Sequence, residues 1–317
     1  MKYFVTGGCG FIGANYVDYL LNTVPGVSKV TVYDKFTYAA NSRNLDDHKS
    51  DSRLAVVKGD ICDYKSLEKA MHNHDFVIHL AAESHVDRSI SDSTAFIETN
   101  LVGTHNVLGA FMFNDIKTLI HVSTDEVYGS LNSGTADEQS ALMPNSPYAA
   151  SKAGSDLLVK SFFTTHGADI RITRCSNNFG RYQFPEKVIP VIVNALIKNK
   201  KAPIYGNGTN IREWLHVSDH CRAIQLVLEK GVSGETYNIG SGFYLSNIEL
   251  AKNIIKILGI NEDMIQFVTD RKGHDFRYAV NYDKIKNLGY KPETNFSRLL
   301  KDTVDWYKIN QNWWPAP

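Results

Sequence analysis

A glycine-rich turn between the first expected strand and the first expected helix constrains this chain more than any other feature. The sequence opens MKYFVTGGCGFIG, which sets Gly7, Gly10 and Gly13 in a G-x-x-G-x-x-G spacing. Glycine permits the tight turn and lets the backbone approach a pyrophosphate. The last glycine lets helix and strand pack closely. The helix N-terminus that follows favours an anion. Asp34 ends the second expected strand, 21 positions after Gly13. A carboxylate there accepts from both ribose hydroxyls of a dinucleotide and repels a 2′-phosphate, which favours NAD over NADP; the adjacent Lys35 pulls the other way. A glycine loop alone also serves an ordinary tight turn. Strand, loop, helix, strand and Asp in series point to a dinucleotide. Cys9 reads as a small spacer in the loop, with a redox-sensitive thiol as the alternative.

The first half of the chain repeats the alternation. Strands are expected at Tyr3-Thr6, Lys29-Tyr33, Leu54-Lys58, Phe76-Leu80, Thr118-Ser123 and Asp169-Arg174. Helices are expected at Ala14-Asn22, Tyr64-Asn73, Phe96-Phe113 and Pro147-His166. This predicts an α/β fold, a Rossmann-type doubly wound parallel sheet with helices on both faces. From Asn177 the texture turns irregular, with Pro185, Pro190, Pro203 and the Gly206-Asn207-Gly208 turn. Thr236-Gly240 reads as one more strand, and helices are expected at about Ile248-Leu258 and Arg298-Asn310. The expected division is a dinucleotide-binding domain at 1–176, with a segment returning to it at about 217–242. A smaller domain takes 177–216 and 243–317. Asp60-Ile61 follows the third strand, where a side chain can meet an adenine; for Asp60 a helix N-cap is an equally good reading. Leu80-Ala81-Ala82 follows the fourth, and its small residues allow backbone contact with a cofactor.

Composition narrows the classes. Lys+Arg and Asp+Glu are both 34, so a general nucleic-acid or polyanion binder is not expected. Cys9, Cys62, Cys175 and Cys221 form no CxxC pair and read as reduced thiols without a metal site. The chain enters a strand at once and has no apolar run of transmembrane length. A soluble cytoplasmic protein with no membrane partner is the expectation.

Chemistry concentrates in two runs. Thr124-Asp125-Glu126 closes an apolar strand, and Tyr148-Ala149-Ala150-Ser151-Lys152 opens a helix. A free tyrosine is a poor base, with a pKa of about 10. A nearby lysine and a positive nicotinamide favour its phenolate, and Tyr148 and Lys152 are i,i+4 neighbours on one helix face. Tyr148 then takes the proton of a substrate hydroxyl as hydride leaves for NAD. Lys152 also holds the nicotinamide ribose, and the Thr124 hydroxyl bonds the same substrate oxygen. Without the cofactor motif, Y-x-x-x-K is an ordinary amphipathic surface pair. Asp125 and Glu126 are more than a dehydrogenase needs. A dehydratase needs a carboxylate to remove an acidic hydrogen beside the new ketone and an acid to protonate the departing hydroxyl. On spacing alone the plainer reading stays open: Asp125 caps the next turn and Glu126 is a solvated charge.

The motifs TGGCGFIG (6–13), LAAESHVDRS (80–89), STDEVYG (123–129), YAASK (148–152), RCSNNFG (174–180), YQFPEK (182–187) and DRKGHDFRYA (270–279) cover essentially the whole chain. The chain resembles the extended short-chain dehydrogenase/reductases, and within them the dTDP-glucose 4,6-dehydratases of deoxysugar and rhamnose biosynthesis. The resemblance implies an NAD-dependent lyase. It makes Asp125 the general acid, Glu126 the C5 base and Tyr148 the base for oxidation at C4, with Thr124 assisting and Lys152 beside them. It places NAD against the glycine loop with Phe11 and Ile12. Asp34, Lys35, Phe36, Thr37, Asp60 and Ile61 extend that site. Leu80, Ala81, Ala82, Ser84, Thr99 and Asn177 complete it, with Tyr148 and Lys152. A nucleotide sugar is implied at Ser84, Thr124, Asn177, Lys187, Val188, Pro203, Tyr205, Arg212, Asn247, Arg271 and His274, mostly in the smaller domain. Arg212 and Arg271 suit a diphosphate, and Tyr205 a pyrimidine. The plain reading of each isolated Arg is a surface ion pair.

Some positions depart from the family pattern. Arg181 stands where proline is usual, Arg212-Glu213-Trp214-Leu215-His216 replaces RDWLYV, Cys9 replaces alanine, and the loops are short. Arg181 and Glu213 put the base preference in question. The rival readings are a UDP-glucose or UDP-N-acetylglucosamine 4,6-dehydratase, a UDP-sugar 4-epimerase or UDP-glucuronate decarboxylase, and a non-catalytic NAD sensor. The resemblance predicts small or hydroxyl residues at position 125 in the epimerases and decarboxylases, so the Asp-Glu pair favours dehydration. Phe96-Phe113 and Pro147-His166 are apolar beyond a narrow stripe. By the same resemblance they imply a homodimer through a four-helix bundle, with intramolecular burial as the alternative.

Overall fold

The computed structural model describes residues 1–313. The strands run β1 Lys2–Thr6, β2 Lys29–Asp34, β3 Leu54–Lys58, β4 Phe76–His79, β5 Thr118–Thr124, β6 Ile170–Cys175, β7 Asn177–Phe179, β8 Ala202–Tyr205, β9 Ile211–His216, β10 Thr236–Ile239, β11 Tyr244–Ser246 and β12 Ile265–Val268. The helices are α1 Phe11–Thr23, α2 Tyr64–Met71, α3 Val86–Ser91, α4 Thr94–Ile97, α5 Thr104–Phe113, α6 Pro147–His166, α7 Val188–Ile197, α8 Val217–Lys230, α9 Asn247–Leu258, α10 Asp283–Asn287 and α11 Phe296–Ile309.

Seven strands form one sheet in the order β10-β6-β5-β4-β1-β2-β3, and every pairing in it is parallel. The period of two along β1 explains the two-sided cover. Tyr3 and Val5 face the core shared with α1 and α8, while Phe4 faces the core shared with α2, α5 and α6. Strand order reverses between β1 and β4, and their carboxyl ends open the crevice where such sheets take ligands. Segment 217–242 returns to this sheet, giving α8 and the edge strand β10.

The remaining strands make two small sheets, β11-β9-β7 and β12-β8. With α7, α9 and α11 they enclose a separate core around Phe179, Ile192, Trp214, Ile254 and Leu300. Neither α7 nor α8 was expected as a helix. Pro190 argues against α7, yet it sits in the first turn, where a missing amide costs nothing. The single helix expected over Phe96-Phe113 is interrupted by a π-helical stretch, Glu98–Gly103. Among the described residues no helix is long and apolar enough to cross a membrane.

Candidate active site

A cavity of about 300 Å³ follows the switch point from the glycine loop to the end of β5. At its base Gly7 has φ +70°, and a Cβ there would lie 2.7 Å from the Ala81 nitrogen. A Cβ on Gly13 would lie 2.2 Å from the Gly7 carbonyl oxygen. The backbone is therefore packed as tightly as only glycine allows. No side chain caps α1 at Gly10, so its first amides are left for an anion. Asp34 accepts from the amides of Cys9 (2.9 Å) and Phe36 (2.8 Å), which fixes its carboxylate at the cavity wall. Lys35 pairs with Asp60 at 2.7 Å, and both line the cavity. Gly10, Phe11, Ile12, Thr37, Ile61, Leu80, Ala81, Ala82, Ser84, Thr99 and Asn177 line it too. Phe36 does not. Its ring packs against the sheet core, and its own backbone has φ 57°. These residues fit an NAD: a glycine cradle a Cβ would fill, a helix N-terminus, and a fixed carboxylate for the ribose.

The reactive groups meet at the far end of the same cavity. Thr124, Asp125, Glu126, Tyr148 and Lys152 all line it. Ser146 caps α6 by accepting from the Ala149 amide (3.1 Å), with Pro147 in the first helical turn; this places Tyr148 at the mouth of the helix. The Thr124 hydroxyl accepts from the Glu126 amide (3.3 Å) and donates to Asp125 Oδ1 (3.3 Å). Thr124, rather than Asp125, is thus the cap of the turn. Both carboxylates turn inward.

Their settings differ. Burial, then the neighbouring Glu126 and Glu213, push Asp125 well above the usual carboxylate range, and its Oδ2 is buried without a protein partner. Burial also raises Glu126, but Arg271, Lys187 and Arg212 oppose it. Both carboxyls are thus raised, but only Glu126 has three cations opposing its burial. Burial raises Tyr148, as do Glu126 and Cys175, while the Thr124 hydroxyl opposes them. Burial brings Lys152 down to about 8, with Asp156 resisting. The Lys152 ammonium donates to the Val122 carbonyl (2.8 Å). Behind it Asp156 accepts from Arg174 Nε (2.8 Å) and faces His121 Nε2 (3.4 Å), all fully buried.

The sugar-nucleotide candidates divide. Lys187 and Ser84 line the cavity, and the Lys187 ammonium donates to the Ser84 carbonyl (2.8 Å). Tyr205, Arg271 and His274 gather beyond it. Tyr205 OH donates to Asp87 (3.3 Å), Arg271 lies 3.6 Å from the same carboxylate, and the His274 ring meets Tyr205 edge-on. Arg271 Nε is buried without a partner, a donor suited to an anion. Arg212 is buried, and its guanidinium donates to the carbonyls of Ile211, Asp275 and Phe276. It acts on the carboxylates by charge at a distance. Val188, Pro203 and Asn247 start α7, lie in β8 and start α9, outside the cavity lining.

Neither departure that put base preference in question faces the cavity. Arg181 pairs with Asp18 on α1 (2.8 Å), and Glu213 accepts from the amides of Ser241 and Gly242 (both 2.8 Å). Other residues were not foreseen. Tyr278 OH lies 3.5 Å from Glu126 Oε2 and is also bonded to Asp275, whose other oxygen accepts from Asn145 (2.6 Å). Asn100, in the π stretch, bonds the Glu83 backbone in both directions (2.9 and 3.0 Å) and Ser151 (2.8 Å), tying the cavity rim to α6. Glu83, Glu186, Gln183 and Phe184 also line the cavity. Only the DRKGHDFRYA motif carried a signal for Tyr278.

A family model described as GDP-mannose 4,6 dehydratase matches residues 4–303. The chain is 50% identical over 319 residues to a dTDP-glucose 4,6-dehydratase of Actinoplanes sp., covering 99% of this chain and 100% of that protein. Its fold superposes on the crystal structure of DesIV, a dTDP-glucose 4,6-dehydratase from Streptomyces venezuelae with NAD bound, with TM-score 0.97, 48% identity and 99% of each chain covered. A UDP-glucose 4-epimerase from Thermotoga maritima shares the fold, with TM-score 0.90 over 98% of this chain and 100% of that one, but only 26% identity. Matched from Phe4 to Thr303, and identical at half of the aligned positions along its whole length, the chain belongs to the 4,6-dehydratases of the extended short-chain dehydrogenase/reductases, in the dTDP-glucose branch.

Proposed function

We propose that this chain converts dTDP-glucose to dTDP-4-keto-6-deoxyglucose with an NAD that stays bound through each turnover. The observation that carries the reading is the Asp125–Glu126 pair, two adjacent carboxylates in one cavity, of which Asp125 is buried beside two acids and Glu126 is faced by three cations. When bound, NAD accepts hydride from C4 and later returns it to C6. Tyr148 takes the C4 hydroxyl proton, Thr124 bonds the same oxygen, and the Lys152 charge favours the phenolate. The C4 ketone acidifies C5–H. Glu126 takes that proton, and Asp125 gives its own to the C6 hydroxyl, which departs as water. Glu126 returns a proton to C5 as C6 is reduced, and the proton held by Tyr148 passes to solvent while Asp125 takes one back. The net change is loss of one water. Tyr278 orients Glu126 within this scheme.

The test is incubation with dTDP-glucose in heavy water. A 4-keto-6-deoxy product with deuterium at C5 and no accumulating NADH is expected. A C4 epimer with its C6 hydroxyl intact refutes the reading, and faster turnover of UDP-glucose or UDP-N-acetylglucosamine moves the nucleotide assignment. Glu126→Gln should oxidise C4 and then stall, leaving bound NADH absorbing in the near ultraviolet; dehydration at the parent rate removes Glu126 as the C5 base.

We read 1–176 with 217–242 as the NAD-binding unit and the rest as the nucleotide-sugar unit. The split between the large sheet with its two cores and the separate core of α7, α9 and α11 supports this division. A homodimer is supported by apolar side chains left exposed on the α4–α5 and α6 segments, among them Ile97, Val102, Phe113, Leu157 and Phe163. Four free thiols suit a cytoplasmic setting.

A further inference from the structure

Two loops wall the dinucleotide cavity. One runs from Asp34 to His48 and contributes Lys35, Thr37, Ala39 and Ala40; the other runs from Gly180 to Glu186 and contributes Gln183 and Phe184. They touch through Tyr38 and Phe184, whose rings meet edge-on at 5.4 Å. Behind the cavity they are joined by a residue far away in sequence. Trp313 stacks on Tyr182 (5.3 Å, 20° between rings) and lies under the Arg43 guanidinium (4.7 Å). Its indole N–H donates to Asn44 Oδ1 (2.8 Å), and its carbonyl accepts from Asn41 (3.0 Å).

Asn44 carries the contact into the cofactor site. It is 3% exposed, and its amide nitrogen donates to the Cys9 carbonyl (2.9 Å) in the glycine loop. The indole therefore fixes which way the Asn44 amide points, and Asn44 holds the loop that cradles the pyrophosphate. Tyr182 needs support of its own. Its φ is 73°, a strained conformation for a bulky side chain, and it leads directly into Gln183 and Phe184. Trp306 and Trp313 together hold its buried ring.

We propose that Trp313 is a clamp that retains NAD, binding the two cavity loops to each other and to the glycine loop from behind. This rests on the dehydratase reading, in which the dinucleotide must stay through turnover. The role is one of positioning, since Trp313 does not line the cavity.

The test is the release rate of NAD from the purified full-length protein, measured by gel filtration and absorbance of the separated nucleotide, for the parent and Trp313→Ala. The variant loses the ring contacts with Tyr182 and Trp306, the Arg43 contact and the indole hydrogen bond to Asn44. It should release NAD about tenfold faster or more, while its circular dichroism stays that of the parent. Release at the parent rate overturns the clamp. A parent chain that never holds NAD overturns instead the reading beneath it. If Trp313→Ala does not fold, Trp313→Phe decides. It keeps a ring against Tyr182 but frees the Asn44 amide, and should still release NAD severalfold faster; parent-like release refutes the proposal.

Discussion

Asp156→Asn removes one charge from the buried group beneath the reactive lysine while keeping its shape. Asp156 and Arg174 are both 0% exposed, and Arg174 Nε donates to Asp156 Oδ2 at 2.8 Å. The guanidinium also donates to Tyr128 OH (2.8 Å), and its remaining NH2 group has no partner. Losing the carboxylate therefore leaves a buried cation with a neutral neighbour. Breaking a buried pair from one side costs about 3–5 kcal/mol, a large part of a total stability of about 5–15. Part of this is ionisation. Burial alone would raise Asp156, but the His121 hydrogen bond and the Arg174 charge outweigh it and hold the acid at about 2. A displacement from about 3.8 to about 2 is worth about 2 kcal/mol. A depressed carboxylate contributes fully above its unfolded pKa, so this share is present at pH 7 and is lost as pH falls from about 4 through 2. Urea unfolding at pH 7 should show a midpoint lower by roughly 1 M or more, with the slope unchanged. Replacing both partners, Asp156→Leu with Arg174→Met, should recover most of the loss, because neither member of the pair is then left without the other. A single variant within about 1 kcal/mol of the parent refutes the argument.

The same reasoning extends to the site. Lys152 is brought down to about 8 mainly by burial, and in the proposed mechanism it supports the Tyr148 phenolate only while charged. Turnover should therefore fall as pH rises through about 8, and Asp156→Asn should move that fall to lower pH; a flat rate up to pH 10 refutes it. Gly13→Ala puts a Cβ 2.2 Å from the Gly7 carbonyl, so the purified protein should carry little or no NAD by absorbance. Leu157, 58% exposed on α6, lies in the proposed dimer face. Leu157→Arg should yield monomers at micromolar protein in equilibrium sedimentation, and an unchanged dimer moves the interface elsewhere.

Much of this protein was legible because its signals are local. The glycine spacing, Asp34 and the alternation of strands and helices depend on φ, hydrogen-bond valence and side-chain period. Six expected strands appear within a residue or so of their places. The helix expected from Pro147 does begin there, capped by Ser146, and this places Tyr148. Where an ambiguous local cue met tertiary packing, packing prevailed. Pro190 lies inside α7 because its turn leaves a first-turn amide free in any case. Asn100 draws the Phe96–Phe113 region into a π stretch because it must bond Glu83 and Ser151, which no helical period encodes.

By itself the sequence determined the parallel sheet, the dinucleotide cradle and the residues able to do acid–base work, since these follow from residue type and spacing. It left Asp125 and Glu126 open between a cap with a surface charge and a catalytic pair. The resemblance favoured the pair, and only the tertiary structure shows where the two side chains lie. It put both carboxylates in one cavity and gave Asp125 burial beside Glu126 and Glu213. It brought Arg271, Lys187 and Arg212 towards Glu126 from distant parts of the chain. Charge and dielectric around a group are set by what folds against it, and for these two residues most of that lies more than sixty positions away in the chain.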